Sequence, residues 1–308
     1  METRFLPIDA TKFEDVLSLP HWLLAPRYVF RGQPDATWSL SSTFERAAKG
    51  LDPNRRPRLE QTINLEFKRR AHHYLAHLPN ADDLLGWLAL IRHHGGPARL
   101  VDFTRSIYIA LFFAVEGAES ASALWAVDTS FYQDRQKPPI WEQPVVSTYD
   151  AAAEQEATSV LAACAAQNAV NVKAGVVPVE PLYLNERQSI QQGLFLFPKD
   201  IRLSFEQNLC SPLNVKSLDD LYKEKGHPAI LKITIAHELH DTIAYWLTCM
   251  NITATSLFPG LDGFTRGLVA HIRRAKHETK KLHNRVLEAM KNVDNVKLAN
   301  EVMKNNTK

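Results

Sequence analysis

The amino-acid sequence predicts a single-domain α+β protein. Its 308 residues are 45% hydrophobic and 23% charged, which is the composition of an ordinary globular protein. Segments typical of strands and of helices occur in both halves of the chain, and the first half contains only two or three strands. Although the length favours two domains, we expect the strands of the two halves to complete one domain.

The first half alternates apolar runs with amphipathic segments. The run YVFRGQ is aromatic and β-branched up to its glycine, which predicts a strand that ends in a turn. Apolar side chains at mostly three- and four-residue spacing predict a helix over residues 59–78, and a second helix is expected over 81–93. Next, IYIALFFAVEGA predicts a buried helix and ASALWAVD a core strand.

The second half begins with a change in composition. Residues 131–182 are rich in Ala, Gln and Pro, and we expect them to be an insertion that contains one helix, SVLAACAAQNAV. The segments VVPVEPLYL, GLFLFP and AILKITIA predict three strands. HELHDTIAYWLTCMNI predicts a helix after them. The body of the protein is expected to end at residue 269.

Residues 270–308 are expected to form a basic helical tail. From His271 onward the chain has ten Lys or Arg against four Asp or Glu. The tail is interpreted as a solvated helix, a helix that docks on the body or a partner, or an arm that contacts RNA. The apolar residues behind this prediction, at roughly helical spacing, are Val286, Met290, Val293, Val296 and Met303.

Global charge and motifs exclude several classes of protein. Lys plus Arg total 36 against 34 for Asp plus Glu, so net charge gives no argument for nucleic acid, and DNA is not expected as a partner. No apolar stretch reaches 18 residues and the N-terminus is acidic, so we expect a cytoplasmic protein without a membrane partner. GxGxxG, GxxxxGK[ST], HExxH, GxSxG and CxxC are absent, and we expect no metal.

Arg31 and Gly32 are the first candidate site residues. An apolar strand delivers one arginine beside a glycine, whose missing side chain allows a ligand to approach the backbone. The planar guanidinium suits a pyrophosphate because it donates two hydrogen bonds. The alternative is a surface salt bridge.

The second candidate surrounds a Gly-Gly-Pro turn. His93 and His94 precede this turn, and Arg99 and Asp102 follow it three residues apart. Adjacent histidines point in different directions on a helix, so they do not readily bind one metal. The alternative to a ligand site is that His93 hydrogen-bonds the turn while Arg99 and Asp102 form a buried ion pair.

A third candidate precedes the strand GLFLF. Here Glu186, Arg187, Gln191 and Gln192 are placed to project into a cleft, and Gln191 offers a donor and an acceptor to a ribose hydroxyl. Ordinary loop hydrogen bonding is the alternative. Asp262-Gly263, the fourth candidate, is interpreted as a turn that caps a helix.

In this order the motifs resemble the FRG domain family. They are the FRGQ of residues 30–33, the W-x-L-x-S and T-x-x-R of residues 38–46, the Glu-x-x-Arg of residues 66–69 and the block of residues 88–104. The resemblance continues with ALFFA, a Trp125 strand, R-x-x-x-Q-x-G-x-F at 187–195 and LFPGLDG. Departures include Arg92 where the family has Gln and Ala98 where it has Thr.

The aromatic-Arg-Gly strand is similar to the first motif of arginine-type ADP-ribosyltransferases. That resemblance implies a single domain of two small packed sheets with flanking helices, and NAD⁺ as co-substrate. FRG domains occur among bacterial toxin–antitoxin and phage-defence genes. The implied function is transfer of ADP-ribose to RNA or protein, with an antitoxin or chaperone as a further partner. An NAD⁺ glycohydrolase and a non-catalytic binding module are the alternatives.

The resemblance also implies roles for particular residues. Arg31 would bind the NAD⁺ phosphate or ribose, and the Gly32 backbone would hold the nicotinamide carboxamide. Gln191 stands near the position of the third motif, and the acid would come from Glu186, Glu66 or Asp102. The implied cofactor-binding residues are Arg31, Gly32, Gln33, His93, Arg99, Asp102 and Thr104, and the implied catalytic residues are Arg31, Gln191 and Glu186.

Overall fold

The computed structural model describes residues 5–17, 19, 23, 27–132, 151–165, 172–181, 185–213, 228–272 and 275. By compactness the chain divides into two units, residues 1–237 and residues 238–308. The predicted end of the body at residue 269 stays a prediction. Almost all of the predicted basic tail lies outside the described residues. Within them, no helix has the length and apolarity that crossing a membrane requires.

Seven strands of the first unit form one mixed sheet. The strands are β1 Leu6–Ala10, β2 Tyr28–Gln33, β3 Val101–Thr104, β4 Ser122–Asp128, β5 Val176–Val179, β6 Gly193–Pro198 and β7 Ile230–Ile235. Their order across the sheet is β1-β7-β4-β2-β3-β6-β5. β1 and β7 are parallel, and the other neighbouring strands are antiparallel. The strand that carries Arg31 therefore lies at the centre.

Eleven α-helices occur in the described residues. Eight belong to the first unit: α1 Phe13–Leu17, α2 Thr43–Ala47, α3 Arg56–Ala71, α4 Leu84–His93, α5 Ile107–Val115, α6 Ala151–Ala165, α7 Glu186–Ile190 and α8 Phe205–Cys210. The second unit contains α9 His240–Cys249, α10 Ala254–Leu257 and α11 Leu261–Gly267. Short 3₁₀ helices are Pro53–Arg55, Thr129–Phe131, Ser211–Leu213 and His237–Leu239.

The predicted α+β class is confirmed, but one sheet replaces the expected two. β2 pairs with β4 along its whole length, from Tyr28 to Gln33. β2 and β3 share a single register pair, Phe30 with Thr104. This pair joins strands β1, β7, β4 and β2 to strands β3, β6 and β5. The sheet is therefore continuous, but no second register pair joins β2 to β3 beside Arg31. We call this break in the strand pairing the β2–β3 gap.

Both faces of the sheet are buried, because alternate side chains of β6 belong to different core clusters. Leu194 and Leu196 pack on one face with Trp125. Phe195 and Phe197 pack on the other face with apolar residues of α4 and α6. Since successive side chains of a strand point to opposite faces, one apolar run supplies both layers.

Part of the predicted insertion contributes to this core. β5 is the edge strand next to β6, and Ala157 and Leu161 of α6 are buried against α4 residues such as Leu88. Residues 133–150, within the same predicted insertion, lie outside the described residues. The sequence patterns did not reveal β1, which pairs in parallel with β7.

Gly32 allows α5 to pack directly on β2. A Cβ at position 32 would lie 2.0 Å from the carbonyl oxygen of Ala110 and 2.4 Å from the backbone nitrogen of Ala114. Both contacts are with helix backbone, which cannot move aside as a flexible side chain can. The glycine of the FRG motif is therefore required by the approach of helix and strand.

Gly32→Ala is expected to lower the free energy of unfolding by about 1–3 kcal/mol or more, because the new methyl group overpacks the α5 contact. Urea unfolding measures this change. Gly175→Ala is the control, since a Cβ there would meet the flexible end of Lys199 at 3.2 Å. Equal urea midpoints for Gly32→Ala and the unmodified protein would contradict the explanation.

Candidate functional site

Arg31 reaches across the β2–β3 gap. Its Nη1 donates to the backbone oxygen of Asp102 at 2.7 Å and lies 3.6 Å from the Oδ2 carboxylate oxygen of the same residue. Its Nε is buried and has no hydrogen-bond partner. An unpaired buried donor is costly, so this guanidinium retains capacity to bind an acceptor.

Asp102 is shared between two arginines. The Nε of Arg92, on the last turn of α4, donates to Oδ2 at 2.9 Å, and its Nη2 also bonds that oxygen. The Asp102 side chain is partly exposed, and both arginine side chains are mostly buried. One carboxylate thus holds two cations at the edge of the gap.

Arg46 adds a third positive charge near this pair. Burial lowers the pKa of Arg31, and Arg92 and Arg46 lower it further, while Asp102 opposes them. Arginine stays charged nevertheless, because its ordinary pKa is far above neutrality. We call Arg31, Arg46, Arg92 and Asp102 the arginine cluster. With three cations and one carboxylate, it is suited to an anionic ligand.

Thr104 connects the end of β3 to α7. Its hydroxyl donates to the backbone oxygen of Gln191 at 2.7 Å and accepts from the backbone N–H of Ser106 at 3.1 Å. Gln192 follows with a φ of 48°, a left-handed conformation, and its carbonyl accepts from Arg105 N–H. The predicted residues Thr104 and Gln191 are therefore in contact, two strand positions from Asp102.

His93 and α7 lie within electrostatic reach of each other. His93 is exposed at the end of α4, next to Arg92. Partial burial lowers its pKa, and His94 and Arg187 lower it further, which favours the neutral imidazole. Glu186 is the exposed first residue of α7. Arg187 on α7 is thus near enough to His93, the neighbour of Arg92, to lower the pKa of that histidine.

Gly32 and Gln33, two predicted ligand residues, have structural contacts, and their ligand roles stay predictions. The side of Gly32 where a ligand was expected is occupied by α5. Gln33 is buried, donates to the carbonyl of Ser39 at 3.1 Å, and accepts from the Trp125 indole at 2.7 Å. These contacts hold the strand and the following loop in place.

The predicted ion pair between Arg99 and Asp102 is wrong. Arg99 is 0% exposed and donates from Nε to Glu60 at 2.7 Å, with a second bond from Nη2 to the other Glu60 oxygen. It also donates to the carbonyls of Pro198 and Lys199. Arg99 precedes β3, which begins at Val101, whereas Asp102 lies on the strand, and the two side chains have different partners.

The other carboxylate proposed for the site is engaged on its own helix. Glu66 forms ion pairs with Arg69 at 3.1 Å and Arg70 at 2.6 Å on α3. Within the described ranges, no three His, Cys, Asp or Glu side chains come together as a metal site.

Sequence reasoning missed the partners of the two central ion pairs. Arg92 appeared as a departure from the family pattern, and its pairing with Asp102 was not anticipated. Glu60 lies on the apolar face of α3, three residues before Ile63, and a charge on an apolar face signals a buried partner. That signal could have found the Glu60 contact.

The fold and site define an α+β protein with an arginine cluster beside a gap in its central sheet. Residues 26–123 match the family model of the FRG domain, which confirms the motif resemblance over this range. All four residues of the arginine cluster lie within the matched segment, whereas α7 lies outside it. Neither a curated protein nor a solved structure matches the chain.

Proposed function

We propose that the arginine cluster binds the diphosphate of NAD⁺ and that the protein transfers ADP-ribose to RNA or to a protein. The supporting observation is that Arg31 and Arg92 share the carboxylate of Asp102, with the charge of Arg46 near enough to lower the pKa of Arg31. These arginines come from three separate segments of the chain. In a bacterial cell such an activity would suit a toxin or phage-defence effector held in check by an antitoxin or chaperone.

The chemistry of the cluster favours a diphosphate over a neutral ligand. Guanidinium groups donate paired hydrogen bonds that match phosphate oxygens. The unpaired Nε of Arg31 is one such donor. A dinucleotide carries two phosphate charges, and Asp102 leaves two of the three arginine charges uncompensated. The ligand would therefore neutralise the cluster.

The transfer reaction requires control of charge at the ribose. The bond between the anomeric carbon and nicotinamide breaks, and nicotinamide leaves with the electron pair. A nucleophile of the acceptor then bonds to that carbon and loses its proton to a base or to water. In this proposal Gln191, whose carbonyl accepts from the Thr104 hydroxyl, orients a ribose hydroxyl, and Glu186 supplies the carboxylate.

A non-catalytic nucleotide-binding module is the second candidate. It is favoured by the state of Asp102, because two arginines already bond this carboxylate and it is not free to stabilise an oxocarbenium ion. Such a module would bind NAD⁺ or ADP-ribose through the arginine cluster and release no nicotinamide. A glycohydrolase would release nicotinamide without labelling a macromolecule.

Incubation with NAD⁺ labelled in the adenylate moiety, in the presence of a cell extract, is expected to label a macromolecule. Portions treated with RNase or with protease identify the acceptor. Loss of label with RNase indicates RNA, and loss with protease indicates a protein. Nicotinamide release is measured in the same samples, because every transfer releases one nicotinamide.

Arg92→Gln is the test variant, and Arg202→Gln is its control. Arg202 is also bonded to a carboxylate, that of Asp200, but it lies outside the arginine cluster. Labelling should fall in the first variant and persist in the second. Binding of NAD⁺ without label or nicotinamide release would identify the module. Absence of both binding and release in folded protein would exclude NAD⁺ as the ligand.

A further inference from the structure

A short segment that begins at the arginine cluster carries a concentration of exposed positive charge. Residues 46–58 contain five Lys or Arg and a single acidic residue. Arg46, Lys49, Arg55 and Arg58 are exposed, and none of them forms an ion pair within the described part of the chain. Arg55 and Arg58 are three residues apart at the start of α3, so they lie on one face of it.

Most arginines elsewhere in the described residues are already paired with a carboxylate. Outside the arginine cluster, the paired ones are Arg27, Arg69, Arg70, Arg99, Arg105 and Arg202. The first turn of α3 has no acidic residue, so the positive end of the helix dipole adds to the charge of residues 46–58. This segment is therefore where positive charge is available to a polyanion.

An exposed tryptophan lies on the loop between β2 and α2. Trp38 is 53% exposed. Hydrogen bonds hold the loop on either side of this residue: Gln33 donates to the carbonyl of Ser39 at 3.1 Å, and Arg46 donates to the carbonyl of Ser41 at 2.8 Å. The loop therefore presents the indole to solvent beside Arg46. An aromatic face next to cations is the arrangement on which proteins stack unpaired bases.

We propose that this surface binds single-stranded RNA as the acceptor of ADP-ribose. Its members, which we call the acceptor surface, are Trp38, Arg46, Lys49, Arg55 and Arg58. The inference rests on the proposed transfer of ADP-ribose and narrows its acceptor to RNA. The cations attract backbone phosphates, and the indole stacks on a base. Because Arg46 belongs to the arginine cluster as well, the RNA would lie beside the bound NAD⁺.

The loop that carries Trp38 also favours RNA over other polyanions. A duplex or an acidic protein would use the charges without the indole, because base faces are accessible only in single strands. Asp35 lies in the same turn, and its backbone oxygen accepts from Trp38 N–H at 3.3 Å. Hydrogen bonds from Thr37 lower the pKa of Asp35, so this ionised carboxylate can accept from a ribose 2′-hydroxyl, which DNA lacks.

Binding of a short labelled RNA to the full chain, followed by fluorescence anisotropy, tests the cations. The triple variant Lys49→Gln, Arg55→Gln and Arg58→Gln should bind more weakly. The slope of log Kd against log salt should fall by about two, because three phosphate contacts are lost. The control removes three exposed positive charges elsewhere, by Lys12→Gln, Arg69→Gln and Arg70→Gln, and should bind as the unmodified protein does.

The same measurement tests the indole. Trp38→Ala should weaken RNA binding about 5- to 100-fold and leave the salt slope unchanged, because stacking does not involve phosphate. Tyr74→Ala, which removes an aromatic ring 83% exposed, is the control and should have no effect. Circular dichroism checks that each variant is folded. RNA binding that neither Trp38→Ala nor the triple variant weakens would overturn the acceptor surface.

Labelling distinguishes failure of this inference from failure of the proposed function. With labelled NAD⁺, the unmodified protein should label the RNA, and the triple variant should label it less while its affinity for NAD⁺ is unchanged. Label found only on protein, without RNA binding, would overturn the RNA acceptor and retain the transfer. Equal labelling of a DNA strand of the same sequence would also overturn it. RNA binding that the variants weaken, without any transfer of label, would overturn the transfer and retain the surface as an RNA-binding site.

Discussion

Arg31→Ala is expected to weaken NAD⁺ binding about 100-fold and to abolish labelling of the acceptor. One charge-assisted hydrogen bond to a phosphate contributes about 1.5–3 kcal/mol, and a loss of about 2.8 kcal/mol corresponds to that factor. The substitution leaves Asp102 paired with Arg92, so it does not strand a buried charge. Calorimetric titration with NAD⁺ measures the change in affinity.

Arg202→Ala is the matched control for this loss. It removes an arginine bonded to Asp200 outside the arginine cluster, and its affinity for NAD⁺ should equal that of the unmodified protein. Because Arg31 also bridges β2 and β3, urea unfolding of Arg31→Ala must show that the variant is folded at the assay temperature. Unchanged affinity in a folded Arg31→Ala protein would exclude Arg31 from the site.

Glu60→Gln is expected to lower the free energy of unfolding by about 3–5 kcal/mol. The change leaves the guanidinium of Arg99 buried, at 0% exposure, without its charged partner. Removing one member of a buried ion pair costs that much because the remaining charge stays uncompensated. Urea unfolding followed by circular dichroism measures the difference.

Two further variants distinguish the effect of burial on the free energy of unfolding from the effect of charge. Glu66→Gln removes a partly exposed carboxylate from the same helix, and exposed ion pairs contribute only about 0–1 kcal/mol. The double variant Glu60→Leu with Arg99→Met removes both buried charges and should be more stable than Glu60→Gln. If Glu60→Gln and Glu66→Gln have equal effects, the buried pair is not a major source of stability.

The apolar patterns predicted most of the regular structure. The 59–78 and 81–93 helices were found as Arg56–Ala71 and Leu84–His93, and YVFRGQ, ASALWAVD and GLFLFP are strands. These elements carry their own signal because their burial follows the period of the helix or strand. The order of the strands could not be predicted in this way, because strands that pair from distant parts of the chain leave no local pattern in the sequence. The continuity of the sheet at Phe30 and Thr104 therefore emerged only from the structure.

In the candidate site, too, the local motif was predicted from the sequence, and the contacts between distant residues were not. The FRG motif correctly placed Arg31 at a strand with a close glycine, and the motifs from FRGQ to ALFFA lie in the segment that matches the FRG domain model. The motifs at 187–195 and LFPGLDG lie outside that segment. The partner of each charge depends on contacts with residues far apart in the chain, such as Glu60 and Arg31. Arg99 turns toward Glu60, whereas Asp102 meets Arg31 and Arg92. Motif spacing alone placed Arg99 and Asp102 together.

The role of Gly32 was also ambiguous from the sequence. A glycine next to a candidate ligand arginine fits a backbone contact with ligand, and it fits a close helix contact equally well. The structure places the backbone of Ala110 and Ala114 against Gly32, so packing explains the residue. Only the position of α5 distinguishes the two interpretations.

Titration of the full chain with NAD⁺ and with ADP-ribose, in competition with inorganic pyrophosphate, tests the central claim most directly. The arginine cluster predicts saturable binding of both nucleotides, displacement by pyrophosphate, and weaker binding as salt is added. Absence of binding by folded protein, or binding that pyrophosphate does not displace, would contradict a diphosphate site at Arg31, Arg46 and Arg92.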